Sequence, residues 1–398
     1  MINRFKVGCN FDLALIDKCK ELNEKYKDKG HIVEFFGSDY DHQELTARPG
    51  FRLQKITKEY FEEYIKKSLE AGIVFNYVMN SPFPYLTKEE LVNHKEEIQE
   101  YVKWLESIGV YRITIANPLM ALIIREVSNI ELEVSTILEI KAVSQLKYYH
   151  DMFGINKFCC DVDKNRDRDF LKSAAKYCND NGLIFELLTN EFCSVNLRAD
   201  KSSAPCPFRK SCYMCHAGNR TKEQSLLYNN FPMSYCTGSR TGDAEGWLKA
   251  RFIRPEDLHY YNDLGIDYFK VSGRTGTTEY LAKVIEAYMS QSFDGNLVEL
   301  WKPLETIWGN TKESEHELED NIPNKKLDGF LDRWFNTNWV CSEHLCGTDC
   351  RYCSNFYEYY CWFGEINSEL YGPVCIYNSL CCLHLFFCIL YRLVKVLK

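Results

Sequence analysis

Five cysteines crowd one stretch of the chain: Cys193, Cys206, Cys212, Cys215 and Cys236. Four thiolates gathered in one place would repel one another and resist ionising, and a metal ion or iron–sulfur cluster removes that difficulty by charge compensation. Five candidates for four positions leave one thiol surplus. Cys212-Tyr-Met-Cys215 alone also suits zinc, with His216 either a further ligand or a hydrogen-bonding loop residue. A second group, Cys341-x4-Cys346-x3-Cys350-x2-Cys353, is dense enough for another metal site, a structural zinc or a small accessory cluster. Free buried thiols are its alternative reading. Cys9, Cys19, Cys159, Cys160 and Cys178 fall within barrel elements and read as core residues.

Polar residues close several strand-like runs. Val-Met-Asn80, Ile-Ala-Asn117 and Leu-Thr-Asn190 each end in asparagine, Glu191 follows the last, and Arg274 ends Ser-Gly-Arg274. In a parallel barrel these positions face the active-site end. Asparagine offers a donor and an acceptor, and a guanidinium fork clamps a carboxylate or phosphate. Asn80, Asn117 and Arg274 are therefore substrate-binding candidates. Glu191, Asn190 and Arg274 are the catalytic ones. The competing explanation is that asparagine simply favours strand-to-loop turns. The sequence has no Gly-x-Ser-x-Gly elbow, His-Glu-x-x-His helix, Walker loop or dinucleotide fingerprint. Gly273-Arg-Thr-Gly276 is too short for such a fingerprint; it suits a turn, or an anion held by backbone amides.

The elements that must position these residues alternate. Strand-like runs are expected at 5–9, 31–37, 73–79, 111–116, 132–137, 157–162, 183–189 and 268–272. Helical periodicity is expected at 12–27, 58–69, 88–107, 142–152, 169–181 and 278–289. Thr87 three residues before Glu90 reads as a capping box opening the third helix. Alternation of this kind predicts parallel strands with helical crossovers, and eight strands predict a closed (β/α)8 TIM-type barrel, with an open doubly wound sheet as the alternative. The barrel is expected over 1–305, with the cysteine-rich insertion at 193–255, after strand 7. An acidic connector and cysteine-rich C-terminal extension follow over 306–369. A hydrophobic tail spans 370–398.

Hydrophobic residues make up 45% and charged residues 26% of 398, enough for a sizeable core. A net charge of −8 gives no general pull toward nucleic acid or anionic membranes, although a local basic patch stays open. The first residues show no signal peptide, which predicts a cytoplasmic protein with reduced thiols. Nineteen cysteines there argue for metal rather than disulfides. Residues 370–391 contain no Asp, Glu, Lys or Arg, a length that can span a bilayer. Membrane association through this tail is one expectation; a packed helix is the other, since Pro373, Asn378, Ser379 and His384 dilute it.

Thr189-Asn-Glu-Phe-Cys193, Cys206-Pro-Phe-Arg209, Ile253-Arg-Pro-Glu-Asp-Leu258 and Gly265-Ile-Asp-Tyr-Phe-Lys-Val-Ser-Gly-Arg274 together resemble the collagenase-like peptidase family, peptidase family U32. The likeness runs on through Thr278-Glu-Tyr280 and Phe293-Asp-Gly-Asn-Leu297 and covers most of residues 1–300. Cys341–Cys353 resembles the cysteine-rich ending of one branch. The resemblance implies a barrel with an oxygen-sensitive 4Fe-4S cluster, and it implies oxygen-independent hydroxylation or a related redox modification of a small-molecule or RNA substrate. Carried onto this chain, Cys193, Cys206 and Cys236 match the cluster motifs, with Cys215 favoured over Cys212 as fourth ligand. Ser239-Arg240 departs from the second cysteine that relatives often carry there. Three functions stay in play: a redox enzyme whose electron donor the sequence does not name, a peptidase acting on peptides or collagen-like substrates, and a non-catalytic iron–sulfur assembly partner; a homo- or hetero-oligomer is open for each.

Overall fold

The computed structural model describes residues 1–190 except 49 and 86, 244–301 except 275, and 322–362 except 346 and 347. The eight expected runs are the strands β1 (Asn3–Gly8), β2 (Gly30–Gly37), β3 (Val74–Met79), β4 (Arg112–Ile115), β5 (Glu131–Val134), β6 (Lys157–Cys159), β7 (Ile184–Leu188) and β8 (Tyr268–Val271). They pair in parallel and in sequence order, and β8 closes on β1. The protein is a (β/α)8 barrel.

The crossover helices include α1 (Leu13–Lys25), α2 (Lys58–Glu70), α3 (Lys88–Asn93), α4 (Lys95–Ser107), α5 (Pro118–Arg125), α6 (Val143–Phe153) and α7 (Arg168–Asp180). Side chains start several of them: Asp12 accepts from Ala14 N–H, Thr57 from Tyr60 N–H and Thr87 from Glu90 N–H. Each cap satisfies an N–H that the first helical turn leaves without a partner. The expected helix at 88–107 is two helices, because His94 (φ −95°, ψ 9°) leaves helical geometry between them. The expected strands at 132–137 and 157–162 stop early for a local reason. Ser135 accepts from Ile137 N–H and Asp161 from Asp163 N–H, and each side chain opens a tight turn in place of further sheet pairing.

Outward-facing strand residues such as Phe5, Phe35, Phe75, Ile113, Leu132, Phe158, Phe185 and Phe269 are buried under the helices in one hydrophobic cluster. Ile322, Leu327, Phe330, Trp334 and Phe356 of the C-terminal extension belong to the same cluster. The described part of that extension therefore shares the barrel's core.

The inside of the barrel is polar. Side chains alternate along each strand, so inward residues from alternate strands stack in layers of four. The lowest full layer is Glu34, Arg112, Lys157 and Tyr268; the next is Lys6, Asn76, Glu133 and Glu186. All eight are buried. Glu34 receives Lys157 at 2.7 Å, Arg112 at 2.8 Å, Tyr268 Oη at 2.5 Å and Asn76 Nδ2 at 2.6 Å. Lys6 pairs with Glu133 and, at 2.9 Å, with Glu186. Lys157 also reaches Glu186 at 2.7 Å and Glu133 at 3.3 Å. Three carboxylates thus face three cations. Above them lies a third layer of Phe36, Thr114, Cys159 and Lys270, then Gly8, Val78, Ser135 and Leu188 near the C-terminal mouth.

Burial pushes the Glu34 and Glu133 carboxyls up, but Lys157 and the other cations outweigh it. Glu34 is held well below the ordinary value and Glu133 falls from 4.5 to about 2. A carboxylate depressed in the folded state stabilises fully above its unfolded pKa and loses that contribution as pH falls through the folded one. Urea unfolding at stepped pH should therefore show stability declining from about pH 4.5 toward pH 2. Glu34→Ala should cost about 3–5 kcal/mol at neutral pH, since it strands Arg112 and Lys157 beside too few carboxylates.

Candidate functional site

Each asparagine and arginine singled out from the sequence stands just beyond a strand, at the C-terminal mouth. Asn80 follows β3, Asn117 follows β4, Asn190 lies two residues past β7 and Arg274 three past β8. Their side chains divide into two kinds.

Asn117 and Asn190 are engaged in holding the scaffold. Asn117 Oδ1 accepts from Leu119 N–H at 2.9 Å, capping α5 ahead of Pro118, and its Nδ2 donates to Pro82 O. Asn190 is buried, donates to Ser272 O at 2.9 Å and Leu300 O at 3.3 Å, and accepts from Ser272 N–H at 2.7 Å and Ser272 Oγ at 3.0 Å. It locks the end of β7 to the end of β8. These bonds use both donors and both acceptor positions of its amide.

Asn80 and Arg274 are brought onto one polar thread. Arg274 Nη1 donates to Ser38 Oγ at 3.4 Å, Ser38 to Thr46 Oγ1 at 3.4 Å, and Thr46 to Asn80 Oδ1 at 3.3 Å. Asn80 also accepts from Ala47 N–H and donates to Ser135 Oγ at 3.3 Å. The thread runs over β8, β2, β3 and β5. The loop after β2, which carries Ser38 and Thr46, is tied down from outside the barrel by Asp39. That carboxylate accepts from Tyr101 Oη at 2.8 Å, Tyr77 Oη at 3.2 Å and His42 N–H at 3.1 Å. Burial pushes Asp39 up, yet the hydrogen bonds from His42 and Tyr101 win and hold it below the usual range.

Lys270 escaped the sequence reading. It is buried and inward-facing, with Nζ 4.3 Å from the Phe36 ring centroid. Burial, and then the nearby Lys6 ammonium, lower its pKa. The signal was present: seven of the eight strands carry a charged or amide residue between apolar neighbours at the position that points inward, and in β6 Lys157 stands between Asn156 and Phe158.

Glu191 and the five cysteines from Cys193 to Cys236 lie outside the described residues, as does Cys346. The thiols of Cys341, Cys350 and Cys353 are half-buried. Cys341 accepts from Trp334 Nε1 at 3.0 Å; burial pushes this thiol up, but Arg251 and the Trp334 N–H hold it below its ordinary value. Among the described residues no three His, Cys, Asp or Glu side chains are grouped to hold a metal ion, and no helix is long and apolar enough to cross a membrane. The tail at 370–398 is not among them.

Fold and mouth together define a (β/α)8 barrel with a polar, cation-rich C-terminal end. No family model matches the chain. An uncharacterized protease of Methanocaldococcus jannaschii is 24% identical over 356 residues, 86% of this chain and 92% of that protein. The similarity thus runs over nearly the full length of both chains. Among solved structures, the U32 peptidase Mk0906 superposes with a TM-score of 0.42 at 10% identity, over 69% of this chain and 93% of its own. A GH113 β-1,4-mannanase gives 0.34 at 10% identity, over 73% and 99%.

Asn190→Ala should cost about 1–3 kcal/mol in denaturant unfolding, because it removes the partner of the Ser272 N–H and of the Ser272 carbonyl, while Tyr280 Oη still donates to the Leu300 carbonyl. Asn80→Ala, half-buried and with weaker partners, should cost less than that.

Proposed function

We propose that the protein is an iron–sulfur enzyme related to the U32 peptidases. In this reading it carries out oxygen-independent hydroxylation, or a related redox modification, of a small-molecule or RNA-borne substrate. Cys193, Cys206, Cys236 and either Cys215 or Cys212 would hold a 4Fe-4S cluster, which supplies single-electron chemistry when bound. Asn80 and Arg274 would bind substrate at the mouth, and Glu191 would handle a proton.

The observation that carries this reading is where the cysteine-rich insertion is rooted. Ile253 N–H donates to Thr189 O at 2.8 Å, and Asn165 Nδ2 bridges Leu188 O and Arg251 O at 2.9 and 2.8 Å. The chain therefore leaves the barrel and returns to it beside Asn190, on the same face as Asn80 and Arg274. A thiolate-bound centre attached there has the substrate side of a parallel barrel within reach.

The name of the archaeal relative favours a second reading, proteolysis. Against it stands the lack in the sequence of a Gly-x-Ser-x-Gly elbow or a His-Glu-x-x-His helix. Among the described thiols, burial pushes Cys9, Cys159 and Cys178 up to about 12, which leaves these three protonated and poor nucleophiles.

Anaerobically prepared protein should contain iron and inorganic sulfide. Cys193→Ser, Cys206→Ser and Cys236→Ser should each deplete both, and only one of Cys212→Ser and Cys215→Ser should do so as strongly. Zinc alone in the purified protein, or full iron in Cys193→Ser, would sink the assignment. Peptide cleavage that survives loss of the cluster would establish the protease instead. A loaded protein without turnover of any small acid or RNA substrate would favour the assembly role.

A further inference from the structure

Three strand lysines point into the barrel, and two of them are already paired. Lys6 holds Glu133 and, at 2.9 Å, Glu186; Lys157 reaches Glu34 and Glu186 at 2.7 Å each. The third, Lys270, stands one layer higher among Phe36, Thr114 and Cys159. Among the described residues its Nζ makes no hydrogen bond and no ion pair. What it meets is the Phe36 ring, with the centroid 4.3 Å away. Lys6 Nζ and Arg274 Cζ lie 5.5 and 5.2 Å from that same centroid. A ring face attracts cations but brings no negative charge to balance them.

The three amines differ accordingly. Burial drives each toward its uncharged form. For Lys6 and Lys157 the carboxylates outweigh burial and hold both above the ordinary lysine value. For Lys270 burial and then the Lys6 ammonium prevail over Cys159, Glu186 and Glu133, and its pKa is lowered. Glu186 and Glu133 are engaged with Lys6 and Lys157, and the Cys159 thiol, pushed up to about 12 by burial, is neutral.

Position adds a second argument. Beneath Lys270 the barrel is filled by two layers whose charges balance. Above it, toward the C-terminal mouth, comes the layer of Gly8, Val78, Ser135 and Leu188, in which Gly8 has no side chain and Ser135 a small one. Lys270 keeps 7% of its surface exposed, against none for Lys6 and Lys157. An amine closed off from below, walled by an aromatic ring and lacking a carboxylate is arranged as lysine nucleophiles are.

We infer that Lys270 is a nucleophilic lysine that forms an imine with an aldehyde or ketone entering the barrel mouth. The amine nitrogen adds to the carbonyl carbon, both amine protons leave with the carbonyl oxygen as one water, and C=N replaces C=O. No oxidant or reductant is consumed. Once protonated, the imine draws electrons from the adjoining carbon, a service that groups which only bind or move protons do not supply. The inference adds a carbonyl group to the substrate class of the proposed site. It rests on that reading only in taking the mouth as the working end.

Reductive trapping of the full chain at neutral pH tests it, with acetaldehyde as a small uncharged probe and cyanoborohydride as the trap. Peptide mass mapping follows the rate of alkylation at each lysine. Lys270 should react at least about tenfold faster than Lys103, on an exposed position of α4, because more of it is uncharged. Lys6 and Lys157, also buried but ion-paired, should stay unmodified over the same time. Thermal unfolding gives a second readout. Lys270→Met should melt at or above the parent, since it deletes a buried charge without a partner, whereas Lys157→Met should melt well below it.

A Lys270 alkylated no faster than Lys103, or left unmodified, would overturn the inference. So would a Lys270→Met midpoint as low as that of Lys157→Met, which would mark the group as a structural cation. The amine belongs to the barrel, so Cys193→Ser should be labelled at Lys270 as the parent is. Preferential labelling in a protein that never holds iron would defeat only the redox reading. An iron-loaded protein with an unreactive Lys270 would defeat only this inference.

Discussion

Charge sealed inside the barrel has to balance, and that requirement organises the rest of the molecule. Glu34, Glu133 and Glu186 meet Lys6, Lys157 and Arg112 where no water is available to solvate any of them. Removing ions from water costs several kcal/mol each, and only close, multiply hydrogen-bonded pairing offsets it. Asn76, Thr114 and Tyr268 supply the remaining hydrogen bonds, with Thr114 donating to Asn76 and Asn76 to both Glu34 and Glu133. Six of the eight strands contribute a charge. The register is specified accordingly, since a slip of one residue on any of them would turn its charge into the apolar layer beneath the helices.

That closed balance gives the mouth its electrostatic character. A pair of layers already in balance compensates a cation placed above it only in part: burial, then Lys6, lower the Lys270 pKa although Glu186 and Glu133 oppose them. The carboxylates of the interior are already committed to their own partners. The Asp39 cluster then fixes the loop after β2 from outside the barrel, where Tyr77 and Tyr101 sit among the helix-facing aromatics. The same tie that stabilises the loop holds Thr46 and Ala47 N–H beside Asn80, and Ser38 beside Arg274. Packing on the outer surface of the barrel and polarity at its end are thus one arrangement.

The eight strands and most helices were legible because apolar periodicity changes cleanly from one element to the next. Their ends were less so. Ser135 and Asp161 stop two strands through side-chain hydrogen bonds that periodicity does not register, and His94 divides a helical pattern that reads as continuous. Asn117 was read as a substrate-binding candidate from its strand-end position, whereas Pro118, the residue type that favours the first helical position, would have marked it as a cap. Asn190 gave no comparable sign, since its partners Ser272 and Leu300 are distant in sequence. The same holds for Arg274, whose partner Ser38 lies in the loop after β2 and far away in sequence.

The split among the strand-end residues also bears on mechanism. Asn190 has its amide fully occupied, so what it contributes to chemistry is position: it fixes the end of β7 to that of β8, and Glu191 is the next residue along. On the proposed reading, the groups that would meet a substrate directly are those with long, exchangeable contacts, the Arg274–Ser38–Thr46–Asn80 thread with its spacings of 3.3 to 3.4 Å. Bonds that long are readily traded for shorter ones to a ligand, whereas the 2.7 and 2.9 Å bonds of Asn190 are not. Rigid bracing on one side of the barrel and loose polar contacts on the other are what a site needs if it is to hold its own groups still while exchanging partners with a substrate.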